Sequence, residues 1–190
     1  HDWARGVAHG PDEDFEKLSD LIIGALALAR RRVRIVTPYF LPDVPLIRAL
    51  NVAAMRGVDL AILLPVRNNI FLVDWACRAQ LDQMLEKGCR VLLTPPPFDH
   101  TKLLVVDGAW SLIGSTNWDP RSLRLNFEFN VECYDDVLAR RLDEMIDDKM
   151  AAAEELTLDA IRGRSLPVRI RDGLARLASP FDARRASGRV

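Results

Sequence analysis

The sequence is poor in the residues and runs that mark several common classes of protein. Its three cysteines, Cys77, Cys89 and Cys133, lie far apart without Cys-x-x-Cys spacing, which argues against a zinc site and a disulfide framework and favours a reduced interior. The longest apolar run, Leu21 to Ala29, is too short to span a bilayer, which takes about 20 residues. What remains is a 190-residue chain with 49% hydrophobic and 28% charged residues, typical of one globular domain with a real core.

Net charge is also small, at −1, but it is unevenly distributed. Residues 131–159 carry ten acidic and three basic side chains, residues 160–190 carry two acidic and eight basic ones, and residues 1–130 sum to zero. A nucleic-acid-binding protein needs a basic face, so the neutral residues 1–130 argue against that class. Because the first residue is His1 rather than Met, we expect the chain to be part of a longer protein.

Histidine is scarce as well, and only His100 of the three is followed by an x-Lys pattern. The sequence that follows is HTKLLVVDGAWSLIGSTNWDPRSLRLNFEFN, from residue 100 to residue 130. Strand alternation predicts that His100, Lys102 and Leu104 point to one face, so an imidazole and an ammonium would lie side by side. Asp107-Gly108 predicts a hairpin turn, and the small and hydroxyl residues 114–117 would suit a bound anion.

The spacing His100-x-Lys102-x4-Asp107-x6-Gly114-Ser115-x-Asn117 resembles the HKD signature of the phospholipase D superfamily. The resemblance implies metal-independent phosphodiester transfer without a cofactor, in which two such motifs face each other across one pocket. One histidine forms a phosphohistidine and the other protonates the leaving group. The implied site residues are catalytic His100, Lys102, Asp107 and Glu128, with Lys102, Ser115 and Asn117 binding the phosphate.

The residue types fit this chemistry independently of the resemblance. Imidazole can act as nucleophile or acid near neutral pH because its unperturbed pKa is about 6.5. Lys102 would place a compact positive charge on the phosphate oxygens. Glu128 could fix the tautomer of His100 by accepting from one ring nitrogen. For Asp107, at the turn, we expect an orienting or structural role within the signature.

Only one motif is present, so the second must come from an upstream half of the same polypeptide or from an identical chain. The segment TPYFLPD at residues 37–43 resembles the opening of the second catalytic half of bacterial cardiolipin synthases. This implies a phosphatidyltransferase acting on a phosphatidylglycerol-like lipid at the bacterial inner membrane, with Tyr39 and Phe40 as pocket walls or core residues. By this analogy His100 would be the acid, although either role fits. A phospholipase D-type hydrolase, a homodimeric endonuclease and a non-catalytic binding half are the alternatives.

The expected fold class is α/β, a mixed and largely parallel sheet sandwiched between helices in phospholipase D-like layers. Residues 1–11, with Gly6, Gly10 and Pro11, are expected to connect to the missing half, and residues 12–156 to form the catalytic domain. The expected helices and strands follow hydrophobic period and breaker residues. They are helices 12–32, 44–56, 71–87 and 135–155, strands 33–37, 59–65, 90–94 and 128–134, and two motif strands.

Residues 157–181 form a separate basic amphipathic segment in this interpretation, and residues 182–190 a disordered tail. Ser165 is a plausible N-cap with Pro167 in the first turn. One face of the helix would carry Leu166, Ile170, Leu174 and Leu177, and the other Arg169, Arg171 and Arg176. Such a helix can lie on an anionic lipid surface, or it can dock on its own domain or on the missing half.

Overall fold

A computed structural model describes residues 3–10, 16–66, 71–119, 122–123 and 126–178, without the side chains of residues 71–74 and 176–178. Strands and helices alternate through the first half of these residues, as the hydrophobic periods predict. The strands are β1 Trp3–His9, β2 Arg32–Val36, β3 Asp59–Pro65, β4 Arg90–Thr94, β5 Leu103–Val106, β6 Trp110–Gly114, β7 Glu128–Tyr134 and β8 Glu154–Glu155. The helices are α1 Lys17–Leu28, α2 Val44–Met55, α3 Phe71–Leu85, α4 Asp136–Ala151, α5 Leu158–Arg162 and α6 Leu166–Ala178.

All eight strands form one mixed sheet in the order β1-β7-β6-β5-β2-β3-β4-β8. Strands β2, β3 and β4 are parallel, because α2 and α3 provide the crossovers that parallel pairing needs. The other neighbouring strands are antiparallel. The α/β class and the mixed sheet are confirmed, but the parallel part is smaller than expected, since β5, β6 and β7 follow one another as an antiparallel meander.

Helices cover both faces of the sheet and divide the core into two layers. On one face α1, α2 and α3 pack on the sheet through large apolar side chains, among them Leu26, Leu50 and Leu81, which are at most 1% exposed. On the other face Ala139 and Ile146 of α4 pack on the second layer. Each fully buried leucine contributes about 1.5–3 kcal/mol by leaving water, so the α1–α3 layer provides most of the apolar stabilisation.

Strand β1 corrects the expectation that residues 1–11 only connect to a missing half. Trp3–His9 pairs antiparallel with β7 along its whole length, and Arg5 contacts the fully buried Glu132. Gly6 leaves room for the Phe129 ring, which lies across the strand, 2.8 Å from where a Cβ on Gly6 would be. Gly10, just after the strand, leaves room for Phe127 in the same way. The sequence alone predicted that Gly6 marks a loop, whereas the structure shows that it lies in a strand and permits a close contact.

The C-terminal segment is also part of the packed structure, because α6 lies against α3. The expected helix is present as Leu166–Ala178, and α5 precedes it with Thr157 as its N-cap. The expected disordered tail, residues 182–190, lies outside the described residues. Within the described parts of the chain, no helix is both long and apolar enough to cross a membrane.

Candidate active site

One edge of the sheet brings together the groups named by the motif, with the exception of Asp107. The carboxyl ends of β2 and β6 and the amino ends of β5 and β7 meet there, since Val36 pairs with Leu103 and Gly114 pairs with Asn130. We call this the site edge. Loops that leave strands at such an edge can present side chains without disturbing the core.

His100 and Lys102 lie side by side at the site edge, as predicted. The Lys102 Nζ is 2.9 Å from the Nδ1 of His100 and donates a hydrogen bond to the His100 carbonyl oxygen at 3.0 Å. The predicted strand alternation does not produce this contact, because β5 begins only at Leu103. Both residues precede the strand, and the His100 side chain is exposed.

Lys102 is partly buried, and its surroundings change the pKa of its ammonium. Burial lowers the pKa of its ammonium from the ordinary 10.5, and the negative charges of Glu128, Asp119 and Asp99 offset only part of that effect. An ammonium that is partly desolvated interacts more strongly with an anion than one in bulk water. The site is therefore suited to a phosphate that displaces water from Lys102.

Two aromatic rings flank the imidazole. Tyr39 meets His100 edge-on with ring centroids 6.3 Å apart, and Phe98 is tilted at 6.0 Å. Phe40 points the other way, is 1% exposed and stacks on Trp118. Of the two candidate pocket walls, Tyr39 thus lies beside the site and Phe40 is a core residue, because consecutive side chains leave the backbone on opposite sides.

Glu128 lies at the site edge but makes different contacts from those expected. It accepts a short hydrogen bond from the Ser115 hydroxyl and a second one, 3.2 Å long, from Asn126 Nδ2. Among the described residues it forms no hydrogen bond with His100. The reason is geometric: β6 lies between β7 and β5, and strands two apart are separated by about 10 Å. In this structure Glu128 orients Ser115 and acts on Lys102 only through its charge.

Asn117 is bound by Ser122, which in turn contacts His9, a residue distant in sequence. Its Nδ2 donates to Ser122 Oγ at 3.1 Å, and the Ser122 carbonyl oxygen lies 3.0 Å from Nε2 of the buried His9. The Asn117 Oδ1 is buried without a hydrogen-bond partner. His9 thus supports the site through Ser122. The sequence offered no signal for this, since nothing local relates residue 9 to residue 122.

The close pairing of β6 with β7 explains why Gly114 is a glycine and where Ser115 lies. A Cβ on Gly114 would lie 2.6 Å from the Cα of Asn130, so only glycine lets the two strands pair here. Asn130 is buried and donates to the Thr116 hydroxyl at 2.8 Å. This close pairing places Ser115 directly beside Glu128.

The structure corrects the assignment of Asp107 to the catalytic set. It lies at the β5–β6 turn, at the opposite edge of the sheet, and its carboxylate accepts from the backbone N–H groups of Arg30, Arg31 and Arg32 at 2.8–2.9 Å. Burial raises the pKa of Asp107, but these hydrogen bonds outweigh it and hold the pKa below 3.8. The contacts of Asp107 are thus structural, and they lie away from His100 and Lys102.

A positioning residue that the sequence analysis missed lies next to His100. Asp99 accepts from the Thr101 N–H at 3.0 Å and from its hydroxyl at 2.6 Å, and it pairs with Lys149 of α4 at 2.6 Å. These bonds fix the turn that presents His100. The described residues contain no cluster of three or more His, Cys, Asp or Glu side chains suited to a metal ion.

Comparison with known families accounts for this arrangement. Residues 22–150 match the family model described as "Cardiolipin synthase, PLD-like domain". This chain belongs to that family. The match runs from within α1 to Met150 in the last turn of α4, and it therefore includes the whole site edge.

Curated relatives extend the similarity over almost the whole chain. Cardiolipin synthase A of Proteus mirabilis is 40% identical and the major cardiolipin synthase ClsA of Bacillus subtilis is 34% identical, each over 175 residues, or 92% of this chain. The chain spans only 36% of the length of either relative.

Solved structures show the same fold at low identity. The phospholipase D family member Nuc from Salmonella typhimurium matches with a TM-score of 0.70 at 21% identity, covering 83% of this chain and 99% of Nuc. Phosphatidylserine synthase from Haemophilus influenzae matches with a TM-score of 0.75 at 18% identity, covering 93% of this chain and 46% of the synthase. The matched part of this fold thus accounts for nearly all of Nuc and about half of the synthase.

Proposed function

We propose that this chain supplies one half of the active site of a cardiolipin-synthase-type phosphatidyltransferase in a bacterial cell, associated with the inner membrane. The observation that carries the proposal is the exposed His100 imidazole with the Lys102 ammonium 2.9 Å from its ring nitrogen. The relatives that match 92% of the chain are cardiolipin synthases. We propose a phosphatidylglycerol-like phospholipid as substrate.

The proposed reaction has two steps that use two histidines. An imidazole nitrogen attacks phosphorus and forms a P–N bond while the P–O bond to the leaving alcohol breaks. The other histidine gives its proton to the leaving oxygen, then takes one from the hydroxyl of the second lipid, whose oxygen displaces the phosphohistidine. His100 fills one of these two roles. Lys102, with Ser115 and Asn117, binds the phosphate oxygens, where negative charge accumulates.

The second histidine would come from another HKD half, because His100 is the only motif histidine in this chain. The surface around the start of β7 offers apolar side chains that such a half could cover. Phe127 is 77% exposed and Phe129 is 56% exposed, on either side of Glu128. Large apolar side chains left in water are typical of an interface. We propose that an upstream half of the same polypeptide, or an identical chain, covers them.

The test is phosphatidyl transfer by the complete enzyme that contains this chain. His100→Ala should lower kcat at least about a thousandfold, because it removes a group that makes or breaks a bond. Lys102→Ala should lower kcat/KM about a hundredfold through the lost phosphate contact. Lys87→Ala, which changes an exposed lysine at the end of α3, is the matched control and should leave the rate unchanged. Transfer by His100→Ala at the wild-type rate would refute the proposal.

The same assay separates the alternatives. Phosphatidic acid as the main product would indicate a hydrolase, and cleavage of DNA by the same preparation would indicate an endonuclease. EDTA should leave the wild-type rate unchanged, since every proposed step uses side chains of the two halves. Strong inhibition by EDTA would contradict the metal-independent mechanism.

A further inference from the structure

Helix α6 docks on its domain with the side opposite its apolar stripe. Leu166, Ile170 and Leu174, which we call the outer stripe, are 66%, 53% and 60% exposed. Asp172 and Ala175 are 1% and 4% exposed. Two residues along a helix correspond to about 200° around its axis, so Asp172 points to the domain and Ile170 points away from it. The usual arrangement, with the apolar face inward, is reversed here.

The orientation of the helix is fixed by specific contacts. Asp172 accepts from Arg164 at 2.6 Å and from Arg171 at 2.7 Å, and the Arg171 guanidinium lies 4.2 Å from the centre of the Trp75 ring. A buried carboxylate that loses its partners is costly, so rotation of the helix about its axis is strongly opposed. The exposure of the outer stripe is thus built into the docking of α6.

The charge around the outer stripe is positive. Arg169 is exposed and lies about 100° around the helix from Ile170. Residues 160–178 carry five arginines against one aspartate. A second copy of the chain facing this stripe would bring arginine against arginine. An anionic phospholipid surface instead offers apolar chains to the leucines and phosphates to the arginines.

We propose that α6 lies on an anionic phospholipid surface, with the outer stripe in contact with the lipid chains. The choice of lipid as occupant rests on the proposed function, whose substrate is a phospholipid. The helix packs close to the site, because Ala175 shares an apolar cluster with Leu41 and Ala76, and Leu41 belongs to the same loop as Tyr39 beside His100. Contact of α6 with lipid would hold this loop, and with it the site edge, near the surface that contains the substrate.

The experiment is co-sedimentation of the 190-residue chain with vesicles of phosphatidylglycerol and phosphatidylcholine. Ile170→Ser/Leu174→Ser should weaken binding at least about tenfold, because two side chains no longer enter the apolar layer. The matched control is Leu28→Ser/Met55→Ser, which changes two equally exposed apolar residues, 79% and 61% exposed, on α1 and α2. The control variant should bind like the wild type.

Unchanged binding by the stripe variant, or an equal loss in the control, would overturn the proposal. Circular dichroism verifies that both variants are folded, which we expect because all four substituted side chains are exposed. Analytical ultracentrifugation tests the rival occupant. A wild-type dimer that becomes monomeric in the stripe variant, with vesicle binding unaffected, would assign the outer stripe to a second copy of the chain.

A second set of measurements tests the charge. Arg169→Gln should weaken binding to phosphatidylglycerol vesicles about fivefold, and pure phosphatidylcholine vesicles should bind the wild type weakly. Equal binding to vesicles with and without phosphatidylglycerol would refute the proposed attraction between the arginines and the anionic lipid. His100→Ala should bind vesicles as the wild type does, so failure of the proposed chemistry and failure of this inference give different results.

Discussion

At the scale of single residues, Lys102 is the group whose environment most directly controls the proposed reaction. Its pKa lies below 10.5 because burial disfavours the charged form. The ammonium is therefore present below that lowered pKa and is lost as pH rises through it. Since the neutral amine cannot hold a phosphate oxygen, kcat/KM for phosphatidyl transfer should fall on the alkaline side at a lower pH than an ordinary lysine would give.

Lys102→Arg provides the check on this assignment. The guanidinium remains charged throughout the range from about pH 7 to pH 10, so the alkaline fall should disappear. The rate near neutral pH should itself drop about tenfold or more, because the planar group cannot reproduce the contact with His100. An alkaline limb that is the same in both proteins would mean that another group titrates.

Asp107 contributes stability rather than chemistry, and the sign of its pH dependence follows from its lowered pKa. Its folded pKa is below 3.8 because three backbone N–H groups donate to it. Its contribution to the free energy of unfolding is therefore fully present above 3.8, the ordinary pKa of an aspartate. As pH falls through the folded pKa, the carboxylate is protonated and the contribution is lost. Asp107→Asn should cost about 1 kcal/mol of unfolding free energy at neutral pH.

Asparagine suits the test because Asp107 has a φ of 56°, a backbone conformation that asparagine tolerates. Urea unfolding at neutral and acid pH measures the difference between the two proteins, which should shrink in acid. Asp148→Asn, on the exposed side of α4, is the matched control and should change stability little at either pH. The same difference at both pH values would show that the charge is irrelevant.

At the scale of elements, β1 is the strand whose importance can be measured most simply. Arg5 pairs with Glu132, which is fully buried between β1 and β7. Arg5→Ala leaves a buried carboxylate without a partner and should cost about 3 kcal/mol of unfolding free energy. A strand that only connected domains would show no such loss.

Two further variants sharpen that measurement by thermal and urea unfolding. Arg5→Leu/Glu132→Leu should recover most of the stability, because it also removes the buried carboxylate that Arg5→Ala leaves without a partner. Arg48→Ala, an exposed arginine on α2, should have little effect. If the double variant were as unstable as Arg5→Ala, packing rather than charge would explain the loss.

Prediction from sequence succeeded for elements with a strong hydrophobic period. Strands 59–65, 90–94 and 128–134 are confirmed at the residues predicted, and the two central helices differ from their predicted ends by one or two residues. The hydrophobic period does not show whether an apolar stripe faces the domain or the solvent, and there the prediction failed. It identified the leucine stripe of α6 correctly, but only packing on α3 shows that this stripe faces outward.

At the scale of the whole molecule, the sequence predicted which residues lie at the site but only some of the contacts between them. The contact between His100 and Lys102 could be predicted because the two residues are only two positions apart. The contacts of Glu128, Asp99 and His9 depend on which strands and helices become neighbours in the sheet. No spacing along the chain contains that information, since Asp99 and Lys149 are fifty residues apart.

The site residues and several stabilising contacts lie at opposite edges of the sheet. The reactive groups occupy the site edge, whereas Asp107, Arg34 with Asp59, and Arg90 with Glu155 form their bonds toward the opposite edge. Substituting His100 therefore touches none of these stabilising bonds. We expect His100→Ala to be an inactive protein of unchanged shape, which would retain an unreacted lipid long enough for its binding mode to be imaged.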